Sequence, residues 1–260
     1  MACYKTSFSV AKISFSFNAD KPTHINWFNN GYGKYFCRIE KPDIRVQIVP
    51  SLNNVPGDFV SVSKELGLYH HKKGLGSYAA FHKEFLPLGD ITRFLASRVI
   101  IEKDGLLLHA CGIKRGKDTF LFCGPSGAGK TTVAKLAIKP WEVLSDETVA
   151  VRKLSDNFQA FSTPFFGDFG KVTKNTGAPL KAIFFLNKAR SFGLRQLDLI
   201  SAVKKLAQGI FLIGNNWQNS MEDALRIAES LARKVPAYEL DFLPEVSLWK
   251  YLEKKISLGE

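Results

Sequence analysis

No apolar run in this chain approaches the roughly 18 residues that a membrane helix needs, and residues 1–10 lack the basic-then-apolar pattern of a signal peptide. A cytoplasmic location without membrane contact is the expectation. Cysteine is scarce, and Cys3, Cys37, Cys111 and Cys123 form no C-x-x-C pair. That spacing argues against a zinc or disulfide framework and for reduced, partly buried thiols. Acidic residues are few, 24 against 36 Lys and Arg, which leaves a formal charge of +12. The excess suggests an anionic partner such as a nucleotide, an acidic peptide or a nucleic acid. The cations are scattered, however, and no basic run is interleaved with exposed aromatics, so nucleic acid is disfavoured against an ordinary solvated surface. Repeats and low-complexity segments are also missing.

The 260 residues, 45% of them hydrophobic, suffice for one large domain or two small ones, and the patterns divide near residue 100. Residues 1–100 mix alternating stretches at 8–17 and 45–49 with turn-rich pieces at 29–33 and 53–57, a small α+β region. It ends in a predicted helix over 91–99 capped by Asp90. Residues 101–260 open with a predicted hairpin, strands 106–113 and 119–123 around a turn at 114–118. A helix over 132–138 follows, stopped by Pro140. Strand segments at 143–144 and 149–151 flank Ser145-Asp146-Glu147, another strand returns at 158–161, and the apolar run 182–186 reads as a central strand. Helices are expected at 197–207 and 221–234, the second capped by Ser220. A strand at 237–242 and a last helix over 245–256 complete the chain.

Between the hairpin and the first helix of this second region stands Gly124-Pro125-Ser126-Gly127-Ala128-Gly129-Lys130-Thr131, followed by Thr132. This is the P-loop pattern, with strand, loop and helix in the required order. Its backbone N–H groups and the helix start would face the β- and γ-phosphates of ATP, and glycine is needed where a side chain would block them. Lys130 would bridge the phosphates, and the Thr131 hydroxyl would join the shell of a Mg²⁺ ion. ATP is preferred to GTP because no guanine-reading Asn-Lys-x-Asp motif is present; Asn187-Lys188-Ala189-Arg190 matches only in part.

Two further features flank the loop. A hairpin centred near residue 116 would set His109 opposite Cys123, either beside the phosphates or as a core histidine satisfied by a carbonyl. Asp146 follows the next strand, where a Walker-B-type carboxylate would face metal and γ-phosphate. Glu147 would point to the opposite side of an extended chain unless the backbone bends, and the pair could equally be a turn. The assignment is Asp146 as base, with His109 and Lys130 also catalytic and Thr131, Asp146 and Glu147 at the metal.

Leu108-His109, the loop GPSGAGKTT and Leu144-Ser145-Asp146-Glu147 together resemble the catalytic domain of HPr kinase/phosphorylase over residues 105–151, whose wider nucleotide-binding fold is shared with phosphoenolpyruvate carboxykinase. The resemblance implies an α/β (α+β) fold, a P-loop domain of mixed sheet and flanking helices at 101–260 after a small α+β region at 1–100. It also implies that His109, Lys130, Thr131, Asp146 and Glu147 form the active site, with the first carboxylate as base. Related kinases form multimers, which leaves a homo-oligomer open. HPr kinases carry an acidic residue and an arginine before a glycine turn where this chain reads Phe161-Ser-Thr-Pro-Phe-Phe-Gly167. That stretch and residues 235–242 look like HPr-kinase-related proteins of unknown substrate, some associated with peptide-modification systems, so HPr itself is not assigned.

The loop 167–177, with Asp168, Lys171, Lys174 and Asn175, either closes over substrate or is ordinary solvated chain, and Lys171 or Lys174 is a candidate replacement for the missing arginine. Tyr32, Trp27 and Phe36 are a recognition surface or, more simply, core. The function expected is ATP- and Mg²⁺-dependent transfer of the γ-phosphoryl group to a serine or other hydroxyl of a peptide, protein or small molecule. The alternatives are a nucleotide-responsive binding module and an ATPase.

Overall fold

A computed structural model describes residues 4–19, 22, 26, 32–49, 59–61, 67–70, 77–81, 88–165, 167, 174–211 and 218–256. The chain begins with a hairpin of β1 (Tyr4–Val10) and β2 (Ile13–Ala19). Ala11 and Lys12, at φ 51° and 61°, make its two-residue turn. That left-handed geometry suits the right-handed twist of the strands and usually takes Asn or Gly; with Ala and Lys there, the sequence reads as one uninterrupted alternating stretch. Four more strands follow: β3 (Ile44–Val49), β4 (Phe59–Ser61), β5 (Gly67–His70) and β6 (Ser77–Phe81). They join the hairpin in a six-stranded sheet of order β1-β2-β3-β6-β5-β4, parallel only at β2–β3 and β3–β6.

Helix α1 (Leu88–Glu102) leads to the second sheet. It starts before the predicted residue 91, which puts Asp90 inside its first turn instead of at the cap. β7 (Gly105–Arg115) and β8 (Asp118–Cys123) form the expected hairpin, but the strands run on to a two-residue turn. The pairing is therefore Ala110 with Cys123, and His109 is not opposite Cys123. Lys114 and Arg115 are half-buried strand residues, Arg115 lying over the Trp141 ring and paired with Glu253, so the charge there did not mark the turn.

The remaining elements are α2 (Lys130–Leu136), β9 (Trp141–Ser145), β10 (Thr148–Leu154), β11 (Asn157–Phe161), β12 (Gly177–Lys188), β13 (Gly193–Gln196), α3 (Leu199–Ala207), α4 (Gln218–Lys234), β14 (Ala237–Phe242) and α5 (Ser247–Lys255). At α3 the cap is Asp198, whose carboxylate accepts from Ser201 N at 2.9 Å. Ser220, expected as a cap, lies inside α4. The eight-stranded sheet has the order β11-β10-β7-β8-β12-β14-β13, with β9 on β7 and β11 also pairing with β12. β8, β12 and β14 are parallel neighbours, so 182–186 is central as expected.

The molecule is thus mixed α/β, with a large mixed sheet and flanking helices. β8 shows why its sequence is apolar throughout. Phe120 and Phe122 enter the core on the side of α2 and α5, with Trp141, Phe184, Trp249 and Leu252. Leu121 and Cys123 face the other way, into a core shared with α1, α4 and the N-terminal sheet. Each fully buried phenylalanine contributes about 1.5–3 kcal/mol. Among the described residues, no helix is long and apolar enough to cross a membrane.

Candidate functional site

The parallel strands β8, β12 and β14 end together, and the glycine-rich loop 124–131 leaves β8 at that edge, the usual place for a ligand in an α/β sheet. Its shape depends on glycine. Gly129 has φ 111°, and a Cβ there would stand 2.6 Å from the Phe242 ring at the end of β14. Lys130 follows, 6% exposed, and its ammonium donates to Gly124 O at 2.8 Å and Pro125 O at 3.0 Å. The lysine therefore ties the loop across its own mouth. Burial pulls its pKa below the ordinary value, against the raising effect of Glu147 and the thiols of Cys123 and Cys111.

β9 and β10 follow one edge of β7, and Asp146 and Glu147 are the bend between them. Ser145 Oγ donates to Thr148 O at 2.7 Å across that bend, and Ala110 N donates to Glu147 O at 3.1 Å. The bend removes the strict alternation that would have set the two carboxylates on opposite sides. A Cβ at Gly167 would meet both, 2.9 Å from Glu147 Oε2 and 3.2 Å from Asp146 Oδ2. Asp146 is buried, and its Oδ1 accepts from Gly167 N at 3.1 Å. Glu147 is the carboxylate that faces open space.

His109 Nδ1 lies 3.1 Å from Glu147 Oε1, a close polar contact in which the nitrogen is poorly aligned for a hydrogen bond. The imidazole is the main influence holding the Glu147 carboxyl below its usual pKa; burial opposes it, and Arg93 and Lys130 add to it. The histidine owes its position to β7, whose free edge here is covered by the chain after α3. His109 N donates to Gly209 O at 2.7 Å, Phe211 N donates to Leu107 O at 2.9 Å, and the Phe211 ring stands edge-on to the imidazole.

These groups line one open pocket of about 520 Å³, together with Ser126, Gly127, Gly129, Thr131, Thr132, Gly167, Arg93 and Lys188. Asp146 does not line it: it is buried next to Glu147 and meets the pocket through its bond with Gly167. Arg93, Lys130 and Lys188 against one facing carboxylate make the pocket electropositive. A second cavity of about 360 Å³ lies beside it, between the loop, the end of β12 and α3, with Gly124 and Pro125 in its wall and His109 and Ser126 on the border of both.

Among the described residues no three His, Cys, Asp or Glu side chains cluster as a metal cage. Two carboxylates and the Thr131 hydroxyl are hard oxygen donors, a set that suits Mg²⁺, which keeps most of its shell as water and phosphate oxygens. Of the other predicted residues, Lys174 and Asn175 do not line the pocket: Asn175 Nδ2 donates to Ser9 O and Ser9 Oγ, each at 3.0 Å, on the N-terminal hairpin. Asp168, Lys171 and Trp27, and the turn at 53–57, lie outside the described residues. Tyr32 is buried against Phe8 and Phe165, and Phe36 packs on the same core. Arg93 and the close approach of Gly167 were not foreseen.

No curated protein matches the chain. The solved Hpr(Ser) kinase/phosphatase from Coxiella burnetii aligns over 58% of this chain and 96% of its own at 11% identity, with a TM-score of 0.36. Residues 91–257, which include every pocket residue named above, match the family described as SynChlorMet cassette protein ScmC, and the chain belongs to that family.

Proposed function

We propose that this chain is an ATP- and Mg²⁺-dependent kinase that transfers the γ-phosphoryl group to a hydroxyl of a peptide, protein or small molecule. The observation that carries the reading is the convergence of Lys130, the loop residues, His109 and Glu147 on one electropositive pocket, with Asp146 buried directly beside Glu147 and bonded to the pocket residue Gly167. Phosphoryl transfer needs positioning and charge neutralisation together with a base for the acceptor proton, and each is represented there. Lys130 would exchange its two carbonyl partners for phosphate oxygens. Thr131 and Glu147 would hold Mg²⁺, which when bound supplies neutralising charge on the phosphates. Asp146, oriented by Gly167 N–H, is the candidate base, and His109 fixes the position of Glu147.

The test follows labelled phosphate from ATP and Mg²⁺ into a fractionated lysate of the source organism, with wild type and Asp146→Asn compared after both have been shown to bind ATP. A labelled acceptor formed by wild type alone is the expected result. ATP binding with no Asp146-dependent product would overturn the kinase reading in favour of a nucleotide-responsive binding module.

A further inference from the structure

Arg93 belongs to none of the motifs that point to the loop, yet α1 delivers it to the same pocket as Lys130, Thr131, Glu147 and Gly167. Its neighbours Thr92, Phe94 and Leu95 are all buried at 2% exposure or less, so the side chain stands on a fixed base. Its guanidinium carbon lies 5.4 Å from the ring centroid of Phe165 and 5.4 Å from that of Phe211. Both rings are held in turn. Phe165 packs against Tyr32, whereas Phe211 is tied to β7 by its backbone and packs against His109.

An arginine placed so firmly would ordinarily be matched to a carboxylate or carbonyl. Here Nε is shielded from water, and among the described residues it has no hydrogen-bond partner and no carboxylate lies within salt-bridge distance of the guanidinium. A buried donor left without an acceptor is costly. A planar fork of donors clamped between aromatic faces is preorganised for the oxygens of an anion.

We propose that Arg93 is the ligand of the terminal phosphate of ATP, and that it discriminates ATP from ADP. The inference rests on the kinase reading of the pocket and assigns a role within it. Lys130 and the loop amides would cradle the phosphates from the loop side, whereas Arg93 comes from α1, held between Phe165 and the Phe211 ring that packs on His109, and so would meet the outermost phosphate. A cation at that point neutralises charge on the phosphoryl oxygens as transfer proceeds.

The test measures, by calorimetry with Mg²⁺ present, the affinities of wild type, Arg93→Met and Arg93→Lys for ADP and for a non-hydrolysable ATP analogue. Methionine keeps the packing between the rings and removes the charge. The Met variant is expected to hold ADP within about twofold of wild type and to weaken the analogue about 10-fold or more, with Lys intermediate. Retained ADP affinity also reports that the loop is folded. Equal weakening of both ligands, or none of either, overturns the role of Arg93 while leaving the kinase reading intact. Wild type that binds neither nucleotide overturns both.

Discussion

Gly167→Ala tests the geometry of the carboxylate pair without removing a charge. The added Cβ would stand 2.9 Å from Glu147 Oε2, 3.0 Å from Glu147 Cβ and 3.2 Å from Asp146 Oδ2, where ordinary contact begins at 3.4 Å. These approaches make the cost steric. The Glu147 carboxylate can swing away, but its Cβ cannot, because Glu147 O is held by Ala110 N and the bend is closed by Ser145. Relief must come from a shift of a few tenths of an ångström at residue 147 or 167, which strains the Gly167–Asp146 hydrogen bond. Overpacking of this kind costs about 1–3 kcal/mol of stability, and displacing a metal-binding carboxylate costs roughly 10–100-fold in affinity or rate. The assay is urea unfolding together with ATP binding in Mg²⁺ and in EDTA. Wild type should gain affinity from Mg²⁺, and the variant should lose about 10-fold of that gain while its binding in EDTA is unchanged. A variant with wild-type stability and the full Mg²⁺ increment would refute the placement of Gly167 against the pair.

Trp249→Phe should destabilise the fold by about 2–3 kcal/mol in urea unfolding. The indole of Trp249 donates to Leu136 O at 2.7 Å at the end of α2 and stacks on Trp141 at 4.7 Å, so the variant leaves a half-buried carbonyl without this donor and removes ring contact; a loss below about 0.5 kcal/mol would contradict that role. Alkylation at pH 8 followed by mass spectrometry should modify exposed Cys37 and spare Cys111 and Cys123 in the folded protein. Burial raises both thiols, Cys123 to about 12, which leaves roughly one thiolate in ten thousand. Labelling of Cys123 at the rate of Cys37 would mean that the loop opens.

The sequence was most legible where local chemistry and tertiary position agree. The strand before the loop and the central strand are apolar because both faces are buried, and no competing pattern disguises them, whereas the strand after Pro236 also carries Glu239 and Asp241 and buries Ala237, Leu240 and Phe242. Helix starts were less legible. Asp90 and Ser220 have the chemistry of a cap, but the helices begin upstream of them, whereas Asp198 does cap its helix and carries the same chemistry. For the site, the motif pointed to the loop and to Asp146 and Glu147, but period-two alternation would set the carboxylates on opposite sides unless the backbone bends, and the sequence did not say whether it does. The bend that unites them depends on Ser145 reaching Thr148 O and on glycine at a position twenty residues further on. Arg93 was invisible for a related reason. Nothing adjacent to it in sequence suggests a ligand, and its orientation is fixed by two rings distant in sequence, Phe165 after β11 and Phe211 after α3. A motif reports groups that meet a ligand from one turn of chain. Groups that reach a pocket from another element are set by packing, and in this protein Arg93 is held by Phe165, which packs on Tyr32 and through it on Phe8 of the N-terminal hairpin. Changes in the N-terminal core are therefore expected to reach the pocket through Arg93 sooner than through the glycine-rich loop.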